Sequence, residues 1–170
     1  MLQKKLSRTK VSLVGGGSAT LPDARPALVL FVGHECPIAN AYAPEVSRIA
    51  AEYAKKGVKT LLVYPDPALN GKTIQRHQQE FKLPSMAIHD KEHKLVNAFG
   101  ATVTPQAFLL LPNGEIAYQG RIDDRYADYS KLRREPNRRD LRNALDAVLA
   151  GKKPQVRETV ALGCVIPSRK

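Results

Sequence analysis

Cys36 and Pro37 stand where an apolar run, residues 27–32 (ALVLFV), gives way to a segment with helical periodicity. Proline suits the first position of a helix, because the N–H it lacks would have no partner there. Cys36 then falls at the N-cap, with its sulfur facing the free N–H groups near Ile38 and Ala39. The helix N-terminus is partially positive and favours thiolate over thiol. A thiolate attacks disulfides and other oxidised thiols. Free cysteine is also among the most buried residue types, often inert. The strand-Cys-Pro-helix context argues for reactivity. His34 and Glu35 come just before the cysteine and are candidates for proton transfer, His34 through its intrinsic pKa. A carboxylate at Glu35 would oppose thiolate formation. The other cysteine, Cys164, lies near the C-terminus. Two thiols so far apart are either inert residues or a redox pair. Cys164 reaches Cys36 as a resolving thiol only if the tail folds back to bring the Cα atoms within roughly 7 Å. Otherwise it packs beside Val165 and Ile166.

These residues need a scaffold, and its pattern is readable. Residues 9–14 suit a short strand, closed by Gly15-Gly16-Gly17. The run 27–32 has the length and composition of a central strand covered on both faces. Val46, Ile49, Ala50 and Tyr53 recur at helical spacing, and Gly57 stops that helix. Residues 58–64 read as a strand, 70–81 as a polar helix with Ile74, His77 and Phe81 inward, and 86–89 as a short strand. Leu95, Val96 and Phe99 suggest a further helical turn or two. Asn113-Gly114 between residues 106–111 and 115–119 is a strong hairpin signal. Leu141, Ala144, Leu145, Val148 and Leu149 mark an amphipathic helix ended by Gly151. This order implies a three-layer α/β/α domain with a mixed central sheet.

Within that frame Cys36-Pro37-Ile38-Ala39, with Pro44 eight residues after the cysteine, resembles the thioredoxin active-site helix. Thr104-Pro105, Phe108-Leu-Leu-Leu, Asn113-Gly114, Ile116 and Gly120 look like the second half of the same signature. The resemblance implies a cis bond before Pro105 and a substrate-binding role for Pro37, Thr104 and Pro105. The long stretch between Cys36 and Pro105 holds one helix–strand unit more than plain thioredoxin, and residues 67–95 can supply it. That insertion, with the terminal Gly163-Cys164-Val165-Ile166, is similar to the redoxin-domain proteins, AhpC/TSA- and TlpA-like, here with a single active-site cysteine. The expected organisation is a redoxin domain over 1–151 and an extended tail over 152–170 carrying Cys164.

The chain departs from that pattern in ways that separate its readings. Ala39 occupies the place of thioredoxin's second cysteine, Glu35 that of its tryptophan and Leu30 that of its buried acid. A peroxiredoxin-like thiol peroxidase would need Thr or Ser where Gly33 stands, and an arginine beside the cysteine. Copper delivery would want a cysteine at Asn40. His77, His89 and His93 are scattered, and no metal site is expected. Asp123-Asp124 reads as a turn solvating a strand end.

With 27 Lys+Arg against 16 Asp+Glu, the net charge of +11 favours acidic partner surfaces. Arg133, Arg134, Arg138, Arg139 and Arg142 fit the exposed side of a helix and its preceding loop. No nucleic-acid motif accompanies the charge, and no apolar run approaches a membrane span. The compartment is expected to be periplasmic or secreted if a leader was trimmed, and cytoplasmic if the sequence is complete. The function expected is thiol–disulfide oxidoreduction by Cys36, resolved by Cys164 or an external thiol, on protein or small-molecule thiols and disulfides, with no cofactor. The alternatives are the peroxidase and a thioredoxin-fold binding module without redox turnover.

Overall fold

The computed structural model describes residues 5–169. In chain order the elements are β1 (Thr9–Ser12), β2 (Ser18–Leu21), β3 (Ala27–Phe31), α1 (Pro37–Ala41), α2 (Ala43–Ala54), β4 (Lys59–Tyr64), α3 (Gly71–Glu80) and β5 (Ala87–His89). There follow α4 (Lys94–Phe99), β6 (Val103–Thr104), β7 (Gln106–Leu110), β8 (Ile116–Gly120), β9 (Tyr126–Asp128), β10 (Lys131–Leu132), α5 (Asp140–Leu149) and β11 (Cys164–Val165).

The apolar run becomes β3, the middle of a five-stranded sheet ordered β5-β4-β3-β7-β8. It pairs in parallel with β4 and antiparallel with β7, so the sheet is mixed. Strand side chains alternate between faces, and here both faces are covered. Leu28 and Leu30, with Leu62, Tyr64 and Leu109, pack toward Val46, Ile49 and Tyr53 of α2, Ile74 of α3, and Leu141 and Leu145 of α5. Val29 and Phe31, with Leu61, Val63 and Phe108, pack toward Leu95 and Phe99 of α4 and Leu21 of β2. Phe31, Phe99 and Phe108 meet with ring centroids 5.1–5.9 Å apart. Two apolar faces explain why β3 reads as an unbroken hydrophobic run.

The insertion expected over 67–95 is present as α3, β5 and the start of α4, with β5 added outside β4 in parallel. The Asn113-Gly114 hairpin joins β7 to β8, and Gly114 holds φ 89°, a left-handed backbone that glycine adopts without strain. Three strand pairings were not legible. Residues 18–21 form β2 against β1, residues 126–132 form the β9–β10 pair, and β6 and β11 pair with each other. These strands are two to four residues long and too short to show alternation. Asp128 closes the β9–β10 turn by accepting from the Ser130 N–H and hydroxyl. Among the described residues no helix is long and apolar enough to cross a membrane.

The arginine-rich stretch is not uniformly solvated. Arg142 leaves only 19% of its side chain exposed and donates to the buried Glu45 at 2.7 Å, with Glu52 as a second acceptor. Arg48 donates to the other oxygen of Glu45 at 2.9 Å. The Arg142 bonds tie α5 to α2, the helix that follows the cysteine, while Arg48 braces Glu45 from within α2. Burial alone would raise the Glu45 carboxyl, but the hydrogen bonds from Arg142 and Arg48 outweigh it and hold it below the ordinary 4.5. A carboxylate with a lowered pKa contributes stability that is present above its unfolded value and lost as pH falls through the folded one. Glu45→Gln should therefore lose about 2–3 kcal/mol at neutral pH. It should also flatten the fall in stability below pH 4.5, read by urea melts across acidic pH.

Candidate active site

Cys36 caps α1 with φ −81° and ψ 114°, and Pro37 takes the first helical position. The Ala39 N–H donates to Cys36 Sγ at 3.4 Å, while the Asn40 N–H bonds the Cys36 carbonyl at 2.9 Å. A donor aimed at the sulfur stabilises negative charge on it once the thiol is free. In this structure the sulfur is bonded to Cys164, with the two Cα atoms 6.0 Å apart. The tail thus folds back and joins the two cysteines, inside the roughly 7 Å that a pairing requires. Cys36 is 5% exposed, and its sulfur lies 3.2 Å from the Thr104 carbonyl oxygen, which would accept the proton of the reduced thiol.

The route of the tail explains how a residue so distant arrives there. Beyond α5 the chain runs beside β8, where Gln119 donates to Arg157 and Thr159 donates back to Gln119. It then crosses in front of Pro105, whose bond to Thr104 is cis. As β11 it pairs antiparallel with β6, Cys164 opposite Thr104 and Val165 opposite Val103. The Ile166 N–H donates to Thr102 at 3.1 Å.

Two cavities flank this crossing. One of about 200 Å³ is lined by Gly33, His34, Glu35, Cys36, Thr104 and Cys164, with Asp66 at its margin. His34 Nε2 lies 3.5 Å from the Glu35 carboxylate, which is 87% exposed. Among the described residues neither side chain bonds a sulfur of the disulfide. The other cavity, about 250 Å³, lies beyond Pro105 among Tyr42, Arg121, Asp123, Tyr126, Val160 and Leu162. Pro37 is exposed and lines neither. Gly33 has a local reason: a Cβ there would sit 2.9 Å from Thr104 Oγ1 and 3.2 Å from Cys36 Cβ.

Asp123 and Asp124 do not solvate a strand end. Both are buried, and Asp123 accepts from the Tyr42 hydroxyl at 2.7 Å and from the Arg125 N–H. Burial, then Asp123, push the Tyr42 phenol up, so it remains a donor. Asp124 accepts the Asn137 and Arg138 N–H groups and draws the basic loop onto the domain. Tyr42 closes the short helix α1, so Asp123 braces the helix that carries the cysteine. No group of three or more His, Cys, Asp or Glu side chains among the described residues could hold a metal ion.

The AhpC/TSA family profile matches residues 3–119, well over half of the sequence. The chain belongs to the AhpC/TSA family. Among curated proteins no sequence matches it. Its fold is similar to that of an uncharacterized conserved protein from Geobacillus kaustophilus, with TM-score 0.85 and 21% identity over 99% of this chain and 92% of the other. A hypothetical protein from Sinorhizobium meliloti is as similar, with TM-score 0.84 and 24% identity over 98% and 93%. The thioredoxin domain of a thiol-disulfide oxidoreductase from Bacteroides vulgatus follows at TM-score 0.63 and 15% identity, covering 88% of this chain and 99% of that one. The fold is thioredoxin-like.

One network near the cysteine escaped the sequence. His77 of α3 is buried between two partners: Tyr64 donates to its Nδ1 at 2.8 Å, and its Nε2–H donates to Asn40 Oδ1 at 2.7 Å. The Asn40 amide then donates to the His34 carbonyl at 3.0 Å, which ties the loop before Cys36 to the core. Asn40 lies four residues after Cys36, on the same helical face. That spacing and the inward face of α3 were the available signals. Burial, then the nearby His34, lower the His77 pKa below its ordinary 6.5, with Glu80 opposing. Well above 6.5 both folded and unfolded forms are neutral, so stability does not depend on this proton there. Below 6.5 the unfolded chain takes the proton first, and stability falls until the lower folded value is passed. His77→Gln should remove that slope in thermal melts between pH 7 and 5.

Proposed function

We propose that this protein is a thiol–disulfide oxidoreductase in which Cys36 is the nucleophile and Cys164 the resolving thiol. The observation that carries the reading is the bond between a helix-capping cysteine and a tail cysteine delivered across Thr104-Pro105. In the reduced protein the Cys36 thiolate attacks one sulfur of a substrate disulfide. A mixed disulfide forms, and the substrate's other sulfur leaves with the bonding pair and takes a proton. Cys164 then attacks Cys36 Sγ, the mixed disulfide breaks, and the substrate's second thiol departs. An external thiol reopens the Cys36–Cys164 bond by attacking the more exposed Cys164. Cys36 leaves as a thiolate steadied by the Ala39 N–H. A second thiol then breaks the mixed disulfide left on Cys164, releasing the external disulfide and restoring both thiols.

Each assigned residue has a place in this cycle. Pro37 fixes the helix start, Thr104 and Pro105 form the surface across which a partner chain lies, and His34 and Glu35 supply exchangeable protons at the cavity rim. Tyr129, Val160 and Val165 are exposed beside or along the tail, an apolar margin that suits protein more than small-molecule partners. The tail over 152–170 serves as the carrier of Cys164. The peroxidase alternative fares worse, because Gly33 brings no hydroxyl to the cavity of Cys36 where a peroxide-orienting Thr or Ser would stand.

The test is electron transfer to a disulfide-bonded protein. Reduced protein, freed of reductant and mixed with oxidised ribonuclease or insulin, should appear as the Cys36–Cys164 form while an equal number of thiols appears on the substrate. A reduced protein that passes no electrons, with Cys36 unreactive toward iodoacetamide at neutral pH, would replace this reading with the binding module.

A further inference from the structure

The tail is a ready template for what the β6 edge accepts, and its most demanding position is Gly163. That residue is buried, yet its backbone lies outside the left-handed region, so no turn requires a glycine there. The requirement is contact: a Cβ at position 163 would overlap the Thr104 carbonyl group and lie 3.2 Å from the Pro105 nitrogen. These are backbone atoms, and they have little room to yield. The Thr104 side chain is packed against Gly33, and its carbonyl oxygen faces Cys36 Sγ. On its other side the Gly163 carbonyl accepts from the Tyr129 hydroxyl at 3.2 Å, which holds the segment close.

The positions after the cysteine make different demands. Val165 is 79% exposed and would tolerate any side chain. Ile166 packs against the core face that holds Phe31 and Phe108, so an apolar residue fits there. Cys36 is 5% exposed and is bonded to Cys164, so a substrate sulfur that joins Cys36 from the β6 side takes the place the Cys164 sulfur now holds. Its backbone then meets the same unpaired groups of β6 that β11 satisfies, the usual way an extended segment adds to a strand edge.

We infer that the substrates of Cys36 are extended protein segments in which glycine directly precedes the reacting half-cystine and an apolar residue stands two positions after it. This rests on the reading of Cys36 as nucleophile, and it adds the substrate class. On reduction the stretch around Cys164 keeps only the two-residue β6–β11 ladder and the flanking hydrogen bonds of Gly163 and Ile166, and the substrate segment replaces that stretch while the tail stays anchored beside β8.

The test uses full-length, reduced Cys164→Ser protein and short peptides whose cysteine is activated as the thionitrobenzoate disulfide. The peptides are Ala-Leu-Gly-Cys-Val-Ile and the same sequence with Ala or Leu in place of the glycine. Cys36 forms a disulfide with the peptide sulfur, the bond to thionitrobenzoate breaks, and that coloured thiolate leaves with the electron pair. Release from the glycine peptide should be faster by about 10- to 100-fold, the scale of a misplaced reacting centre. Dithiothreitol, which has no strand edge, should react with all three alike. In the native chain Gly163→Ala should weaken closure of the Cys36–Cys164 bond in glutathione buffers by a similar factor. Equal rates for the three peptides would overturn the glycine requirement and leave Cys36 as nucleophile. No release from any peptide, with the protein folded, would remove the nucleophile and the inference with it.

Discussion

Reduced Cys164→Ser protein should stop at a covalent adduct between Cys36 and its substrate, and multiple turnover should fall by about 10²–10⁴-fold. The size follows from the loss of an intramolecular thiol, whose tether gives it a high effective concentration. In the native chain β11 presents Cys164 directly opposite Thr104, beside the Cys36 sulfur. A serine at that position keeps the strand and removes the attack. The adduct should be visible by intact mass and should disappear on adding dithiothreitol. Cys36→Ser should form no adduct and pass no electrons. The same experiment distinguishes the roles, because exchanging the two cysteines' functions would place the trapped substrate on Cys164. An adduct on Cys164 in the Cys36→Ser protein, as abundant as the one expected on Cys36, would contradict the assignment.

The second large effect is on stability. Opening the Cys36–Cys164 bond should cost about 3–5 kcal/mol, because it closes a loop of 128 residues and so restricts most of the unfolded chain. For a domain of this size the melting temperature should fall by roughly 6–20 °C. The tail keeps other anchors in the reduced state, among them the hydrogen bonds of Gln119 with Arg157 and Thr159. The secondary structure should therefore survive reduction at room temperature. Thermal melts with and without dithiothreitol measure the difference, and Cys164→Ala should match the reduced protein and respond no further. A melting point indifferent to reductant would mean that the cross-link adds nothing beyond those anchors.

Much of the scaffold was legible because its signals are local. The run ALVLF is apolar throughout since both faces of β3 are covered, and Asn113-Gly114 specifies a turn that few other pairs allow. Cys36-Pro37 marked a helix start from the chemistry of one missing N–H. What escaped depends on partners far along the chain. Asp123 looked like a solvated turn because its partner Tyr42 is 81 positions away, and Arg142 looked exposed because Glu45 is 97 away. His77 showed its inward face in the helical spacing, but nothing in the sequence named Asn40 as its acceptor. Cys164 stands in a segment without periodicity, and only the β6–β11 pairing brings it to Cys36. Residues in regular elements declare themselves by spacing, while those that complete the site are placed by tertiary contacts.

The most direct measurement is peptide mapping of the native protein after equilibration in glutathione buffers graded from oxidising to reducing, followed by acid quenching. A working redox pair predicts that the Cys36–Cys164 peptide opens and closes across the series with a defined midpoint, and that glutathione adducts stay minor because the neighbouring thiol displaces them. A bond that persists in the most reducing buffer would make the cross-link purely structural. Cys36 held mainly as a glutathione adduct, or two thiols that never join, would contradict the two-cysteine cycle.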